Sequence, residues 1–268
     1  MKHIAKTLLG GATALWLGTF AQAHEFWIEP ETYQVAQGDK IIAALRVGEN
    51  FAGSEYSFNP RNFVRFDVQT ANGLEALPGR AGDRPAVQFD ASKAGLTTIV
   101  HVTTEQRLTY NQFEKFEAFL AHKDWEDLME VHRDRALPEE GFRERYSRYA
   151  KSLVAVGDGA GADQNYGLLT EIVALANPYT ETLSEMPIQV FYSGSVRANA
   201  QVELFEKAPD GAVAVTLHRT DDEGIARFPV TAGHSYLVDA VVIRAMDPKE
   251  ERDPVWESLW AALTFAIP

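Results

Sequence analysis

The stretch Ile41-Ile42-Ala43-Ala44-Leu45-Arg46-Val47, with the runs Phe63 to Val68, Val87 to Asp90 and Thr97 to Thr103 that follow it, decides the fold. Each run is short and apolar, with β-branched or aromatic residues that suit a pleated, half-buried surface. Turn signals separate them: Gly38-Asp39, Asn59-Pro60, Asn72-Gly73, Pro78-Gly79 and Gly82-Asp83. Short strands at this spacing predict a β-sandwich from Phe26 to His101.

Downstream the period changes. Phe113, Phe116, Phe119 and Leu120 fall at helical spacing, as do Trp125, Leu128, Met129 and His132, and then Phe142, Tyr146, Tyr149 and Leu153. Three short helices are expected within 111–155, with Pro138, Glu139 and Glu140 in the first turn of the third, where a missing N–H is harmless and acids meet the positive dipole end. Leu168 to Ala174 returns to strand character, and Thr180 to Pro187 reads as a linker. Beyond it, Ile188 to Tyr192, Gln201 to Lys207, Val213 to Arg219, Ala226 to Val230, Tyr236 to Ile243 and the alternating Leu259 to Phe265 predict a second, smaller sandwich. The expected fold is therefore mainly β: two β-sandwich domains over 24–182 and 183–268, the first with a short helical insertion at 111–155.

At the amino terminus, Lys2, His3 and Lys6 precede an apolar stretch from Leu8 to Phe20 and the small-x-small triplet Ala21-Gln22-Ala23. This order is that of a cleavable secretory signal, 1–23, whose removal exposes His24. Taking 23 residues from 268 leaves 245, and the loss of two lysines moves the net charge from −13 to −15. Such acidity disfavours nucleic acid and anionic membranes and attracts cations. After the signal no apolar run reaches the roughly 18–20 residues of a membrane helix. The expected location is the periplasm, without membrane insertion.

A mature amino-terminal histidine offers an α-amine and an imidazole on one residue, with ordinary pKa values of about 8 and 6.5, so both are neutral nitrogen donors near neutral pH. Nitrogen-rich tetragonal sites favour Cu(II) or Ni(II), whereas thiolate and thioether donors select softer ions. The chain has no cysteine, and only Met129, Met186 and Met246 follow the signal. His24 also stands at the head of the alternating run from Glu25 to Glu29, so it equally suits the edge of a first strand.

A chelate of two nitrogens leaves coordination positions open, and His101, His122, His132 and Glu117 are the candidate further ligands. His101 lies in the strand-like run Ile99 to Val102, where a buried histidine ordinarily finds a hydrogen-bond partner without metal. His132 shares the apolar stripe of Trp125, Leu128 and Met129 and points inward. His122 adjoins Lys123 and Asp124, and Glu117 stands among the acids of the helical segment as an oxygen ligand or a partner to a ligating histidine. The segment Asp221-Asp222-Glu223-Gly224 lacks the remaining positions of a calcium loop and reads as a hairpin turn. No G-x-S-x-G, Walker loop, dinucleotide fingerprint or zincin helix occurs, so a non-enzymatic protein is expected.

The opening His24-Glu25-Phe26-Trp27-Ile28-Glu29-Pro30, with Val47 to Phe51, Lys115 to Leu120, Tyr146 to Leu153 and Trp256 to Phe265, resembles a family of secreted proteins of unknown function once described as nickel-uptake, NikM-like components. The second module, through Thr220 to Ala226 and Gly233-His234-Ser235-Tyr236, is similar to Ig-like, transthyretin-like and carboxypeptidase-regulatory sandwiches. The resemblance implies a periplasmic accessory for a divalent ion, Cu or Ni, that serves a membrane metal transporter or another periplasmic metal-handling protein. Two other functions stay open at this point: a metal-free β-sandwich interaction protein, and a copper-dependent oxygenase of the kind that begins with a chelating histidine.

Overall fold

The computed structural model describes residues 25–268. The expected signal and His24 lie outside the described residues.

The first half contains β1 (Glu25–Pro30), β2 (Gln34–Val35), β3 (Lys40–Glu49), β4 (Ala52–Tyr56), β5 (Phe63–Thr70), β6 (Gly73–Ala76), β7 (Val87–Asp90), β8 (Gly95–Thr103) and β9 (Gln106–Tyr110). Helices α1 (Phe113–His122) and α2 (Asp127–Asp134) follow, then β10 (Phe142–Val156) and β11 (Thr170–Ala174). The rest is β12 (Glu185–Tyr192), β13 (Ser195–Val196), β14 (Gln201–Lys207), β15 (Val213–Arg219), β16 (Ile225–Pro229), β17 (Ser235–Ala245) and β18 (Trp256–Ala266). The protein is mainly β and sandwich-like, as the strand spacing predicts.

The expected third helix is a correction: Phe142 to Val156 forms one long strand. Apolar residues three and four apart fit a helix in a short window, but here even and odd positions pack on opposite sides of a sheet. Ala150, Val154 and Val156 enter one core and Leu153 another. Gly141, at φ +77°, interrupts the proposed first turn. Long-range pairing then decides the conformation, with β9 and β8 antiparallel along one edge of β10 and β18 parallel along the other. The helical part of the insertion consequently ends at Asp134.

The expected boundary at 182/183 meets one shared sheet. Among the described residues ten strands form it, ordered β15-β14-β17-β18-β10-β8-β5-β6 with β2 and β9 also on β10, so the strands of the two expected units join side by side in one layer through β18 and β10. Successive side chains of a strand leave on opposite faces, which gives this sheet two cores. Leu237, Ala262 and Phe205 point toward the small sheet of β1, β3, β4 and β7, where Trp27, Ile28 and Ile41 complete an apolar cluster. Their neighbours Val238, Ala261, Leu263 and Leu204 point the other way, toward β11, β12 and β16, and meet Ile172, Ile188 and Phe228. Helix α1 covers the rest of the first face through Phe113, Phe116, Phe119 and Leu120, packed with Trp256, Trp260 and Val241, and α2 adds Leu128 and Met129. A seam thus runs across that face between the small sheet and the helices.

Candidate functional site

The seam is polar. Helix α1 ends there in a Schellman arrangement, in which Trp125 N–H donates to Leu120 O at 2.8 Å and Asp124 takes φ +62°. Asp is among the few residues other than glycine that enter this region readily, and it reverses the chain without an extra turn of helix. His122 and Lys123 are thereby presented at the helix's negative end, where basic groups are favoured. Strand β14 receives them: Gln201 Nε2 donates to His122 O at 2.8 Å, and Glu203 lies 2.9 Å from His122 Nε2 and 2.6 Å from Lys123 Nζ.

Two more carboxylates converge on the same ammonium. Glu25 Oε1 is 3.1 Å and Asp239 Oδ2 3.2 Å from Lys123 Nζ. Glu25 comes from the first residue of β1, while Asp239 comes from β17 and stands opposite Glu203 in the β14–β17 ladder. All four side chains are buried, Lys123 to 4% exposure and Asp239 to 2%. The indole of Trp260, stacked on Phe119, lies 4.9 Å from the ammonium.

Burial acts against charge at Lys123, Asp239, Glu203 and His122. It disfavours the Lys123 ammonium, yet Asp239, Glu25 and Glu203 together outweigh it and hold the lysine above its usual range. Burial pushes the Asp239 carboxyl up, only partly opposed by Lys123. At Glu203 burial also pushes up, but the hydrogen bond from His122 and the Lys123 charge bring the carboxyl below its ordinary value. The same Glu203 contact raises His122 against burial.

Glu25, Lys123, Glu203 and His122 line a cavity of about 300 Å³ together with Glu49, Phe119 and Trp260, among others. The His122 side chain is half exposed. Of the candidate ligands, His122 therefore reaches a polar cavity together with Glu25, the residue bonded to His24.

The other candidates are placed apart. His101 is packed among Phe26, Phe66 and Phe63, with ring centroids 4.9, 4.6 and 5.6 Å away, and burial pushes it down to about 3. It lines a different cavity, of about 250 Å³, together with Tyr146 and Arg148. Its Nδ1 is buried without a hydrogen-bond partner among the described residues. His132, on the inner side of α2, is fully enclosed: Nδ1 accepts from Trp256 Nε1 at 3.0 Å and Nε2 donates to Pro138 O at 3.1 Å. Both ring nitrogens are used, which explains an inward histidine without metal. Glu117 pairs with Arg133 at 2.8 Å on the outer side of α1 and α2.

Sequence reasoning missed Lys123, Glu203 and Asp239 as a group. One signal was available: Asp239 interrupts the apolar run Tyr236 to Ile243, and a carboxylate inside a strand buried on both faces requires a partner.

A β-sandwich with an acidic, histidine-bearing cavity beside the start of its first strand is the class that fold and site define. The chain belongs to a family described as a domain of unknown function, DUF4198, which it matches over residues 21–244. Among curated proteins no sequence matches it. Solved structures with some similarity include a DUF4785 family protein of Legionella pneumophila subsp. pneumophila str. Philadelphia 1, at 10% identity over 80% of this chain and 50% of that one, with TM-score 0.24. Another is a tetra-tandem repeat in the extending region of a large adhesion protein, at 11% identity over 90% of this chain and 48% of that one, TM-score 0.19. The D0-D1 domain of Intimin is 13% identical over 90% of this chain and 97% of that one, TM-score 0.20. The chain spans about half the length of the first two. Among the described residues no helix is long and apolar enough to cross a membrane.

Proposed function

We propose that the protein is a periplasmic, non-catalytic metal-binding accessory. It captures Cu(II) or Ni(II) through the α-amine and imidazole of a mature amino-terminal His24 and passes the ion to a membrane uptake or handling partner. The observation that carries this reading is the shared cavity of Glu25 and His122: the residue bonded to His24 and a second imidazole line the same polar space. Amine, imidazole and carboxylate donors without thiolate suit these two ions. The protein's net charge of −13 favours cation approach. A metal-free interaction role draws its support from Lys123, which already gives the buried carboxylates a cation.

Titration with Cu(II) and Ni(II) tests the proposal on three proteins: one beginning at His24, one with a single Ala added ahead of it, and one carrying His122→Ala. The extension removes the amine from His24 and keeps its side chain, so affinity should fall by at least tenfold. His122→Ala should weaken binding less, because one donor is lost instead of a chelate. Equal affinities for the native and extended proteins would overturn the reading, as would an exported protein whose intact mass places its start elsewhere than His24.

A further inference from the structure

Glu25, Glu203 and Asp239 each bring one oxygen to within 4.8 Å of the others, the spread of donors around a single cation. Lys123 Nζ stands between them. Arg197 feels the Asp239 charge but directs Nη2 to Val241 O at 3.1 Å and leaves Nη1 buried without a hydrogen bond among the described residues, so the three carboxylates are contacted by one ammonium and, at Glu203 alone, by His122. Buried carboxylates without matching positive charge are strongly disfavoured.

A separate atom points to a missing partner. Asp239 Oδ1 is buried and has no hydrogen bond among the described residues, while Lys123 contacts Oδ2. An ammonium offers three hydrogens in fixed directions, whereas a metal ion accepts oxygen donors on every side.

We propose that Glu25, Glu203 and Asp239 form an oxygen seat for a divalent cation and that Lys123 is its internal competitor, holding the seat while the ion is absent and leaving when it arrives. The lysine has a place to go. It also lines a neighbouring cavity of about 650 Å³ whose walls include Asp124, Glu126 and Asp127. Its flexible four-carbon stem can carry the ammonium between the two spaces while the Schellman turn keeps α1 fixed. An ion in this seat is bound against a tethered rival, which favours release over sequestration and suits a protein that passes metal on. The inference rests on the metal reading above only for the entry of the ion beside His24, since the seat is built from other residues.

The experiment uses Mn(II), which takes oxygen donors and is counted by electron paramagnetic resonance, on the mature protein carrying His24→Ala so that the amino-terminal chelate contributes nothing. Adding Lys123→Met or Lys123→Gln should tighten Mn(II) binding at least tenfold at one ion per chain, and adding Glu203→Gln should abolish that gain. No gain in either variant, once near-ultraviolet circular dichroism shows native packing, would overturn the inference. The unmutated chain gives a second reading independent of variant folding. Acylation of Lys123 by an N-hydroxysuccinimide ester, followed by peptide mass spectrometry, should rise several-fold on saturation with Mn(II), and protection that persists at saturation would overturn it. If the Ala-extended protein keeps its Cu(II) affinity while Lys123→Met gains a Mn(II) site, the amino-terminal reading fails and the seat stands. The opposite pattern removes the seat and leaves that reading.

Discussion

On the face of the central sheet covered by β11, Lys151 of β10 is buried against Asp163 and Glu171, at 2.8 and 3.2 Å, and the carbonyl of Gln164 at 3.1 Å. On the opposite face Lys123 is buried against Glu25, Glu203 and Asp239. Each ammonium lies about as far from an aromatic ring, 5.0 Å from Tyr166 and 4.9 Å from Trp260. The surroundings differ. Glu171 accepts the backbone N–H groups of Tyr166 and Leu168, and Asp163 that of Ala174, so the Lys151 group also fastens the loop between β10 and β11. Among the described residues none of the three carboxylates around Lys123 accepts a backbone N–H; their partners are Lys123 and His122. Each group leaves one carboxylate oxygen without a partner, Asp163 Oδ1 and Asp239 Oδ1. Two carboxylates stitched to backbone around one lysine make a structural brace. Three carboxylates around one lysine, with Glu25 and Glu203 lining a cavity, leave acids outnumbering their basic partners Lys123 and His122.

The sharpest way to break this contrast is to remove the brace. Lys151→Met should cost about 3–5 kcal/mol in urea unfolding, the usual penalty for stranding one side of a buried pair. A loss below about 1 kcal/mol would mean that the backbone donors suffice, and the brace would lose its basis. The two carboxylates in contact with their lysines should then respond with opposite signs. Glu171→Gln weakens a carboxylate that also accepts backbone N–H groups and should cost about 1–3 kcal/mol, whereas Asp239→Asn removes the carboxyl that burial pushes up to about 7 and should be neutral or stabilising at pH 8. Equal losses at both positions would show that the Asp239 carboxylate is as well served by its partners as that of Glu171.

His101 sharpens the comparison from a buried group with no ionic partner in contact. Burial pushes it down to about 3, so the unfolded chain binds the extra proton first. Its contribution is complete above about pH 6.5 and is lost as pH falls from there toward 3. His101→Phe should therefore flatten this part of the acid limb of a stability-versus-pH curve, whatever its effect at neutral pH; an unchanged slope would remove His101 from the acid response. The smallest effect is expected at the exposed pair. Arg133→Ala, which releases Glu117, should change stability by no more than about 1 kcal/mol and should become undetectable in high salt. A larger, salt-resistant loss would mean that α1 and α2 depend on that pair for their docking.

Much of the strand content was legible because it is written in neighbouring residues. Val87 to Asp90, Gln201 to Lys207 and Val213 to Arg219 are strands with the expected bounds, and Phe113 to Leu120 lies within α1. The error at Phe142 to Val156 arose where local spacing admits two periods and pairing with β18, more than a hundred residues away, selects one. The candidate site was legible only in part. His122 could be named from its chemistry, but Lys123 entered only as its neighbour, and Glu203 and Asp239 only as positions in strands.

Sequence alone determined the β character of the chain, its acidity, its signal-like start and the donor types available to a metal. Tertiary structure alone decided that Glu25, Lys123, Glu203 and Asp239 meet, that His132 is spent on Trp256 and Pro138, and that strands from both halves share one sheet. The physical reason is range. Turns, periods and donor chemistry follow from residues close along the chain, whereas the cost of a buried charge depends on which groups burial brings into contact, and those come from β1, the end of α1, β14 and β17.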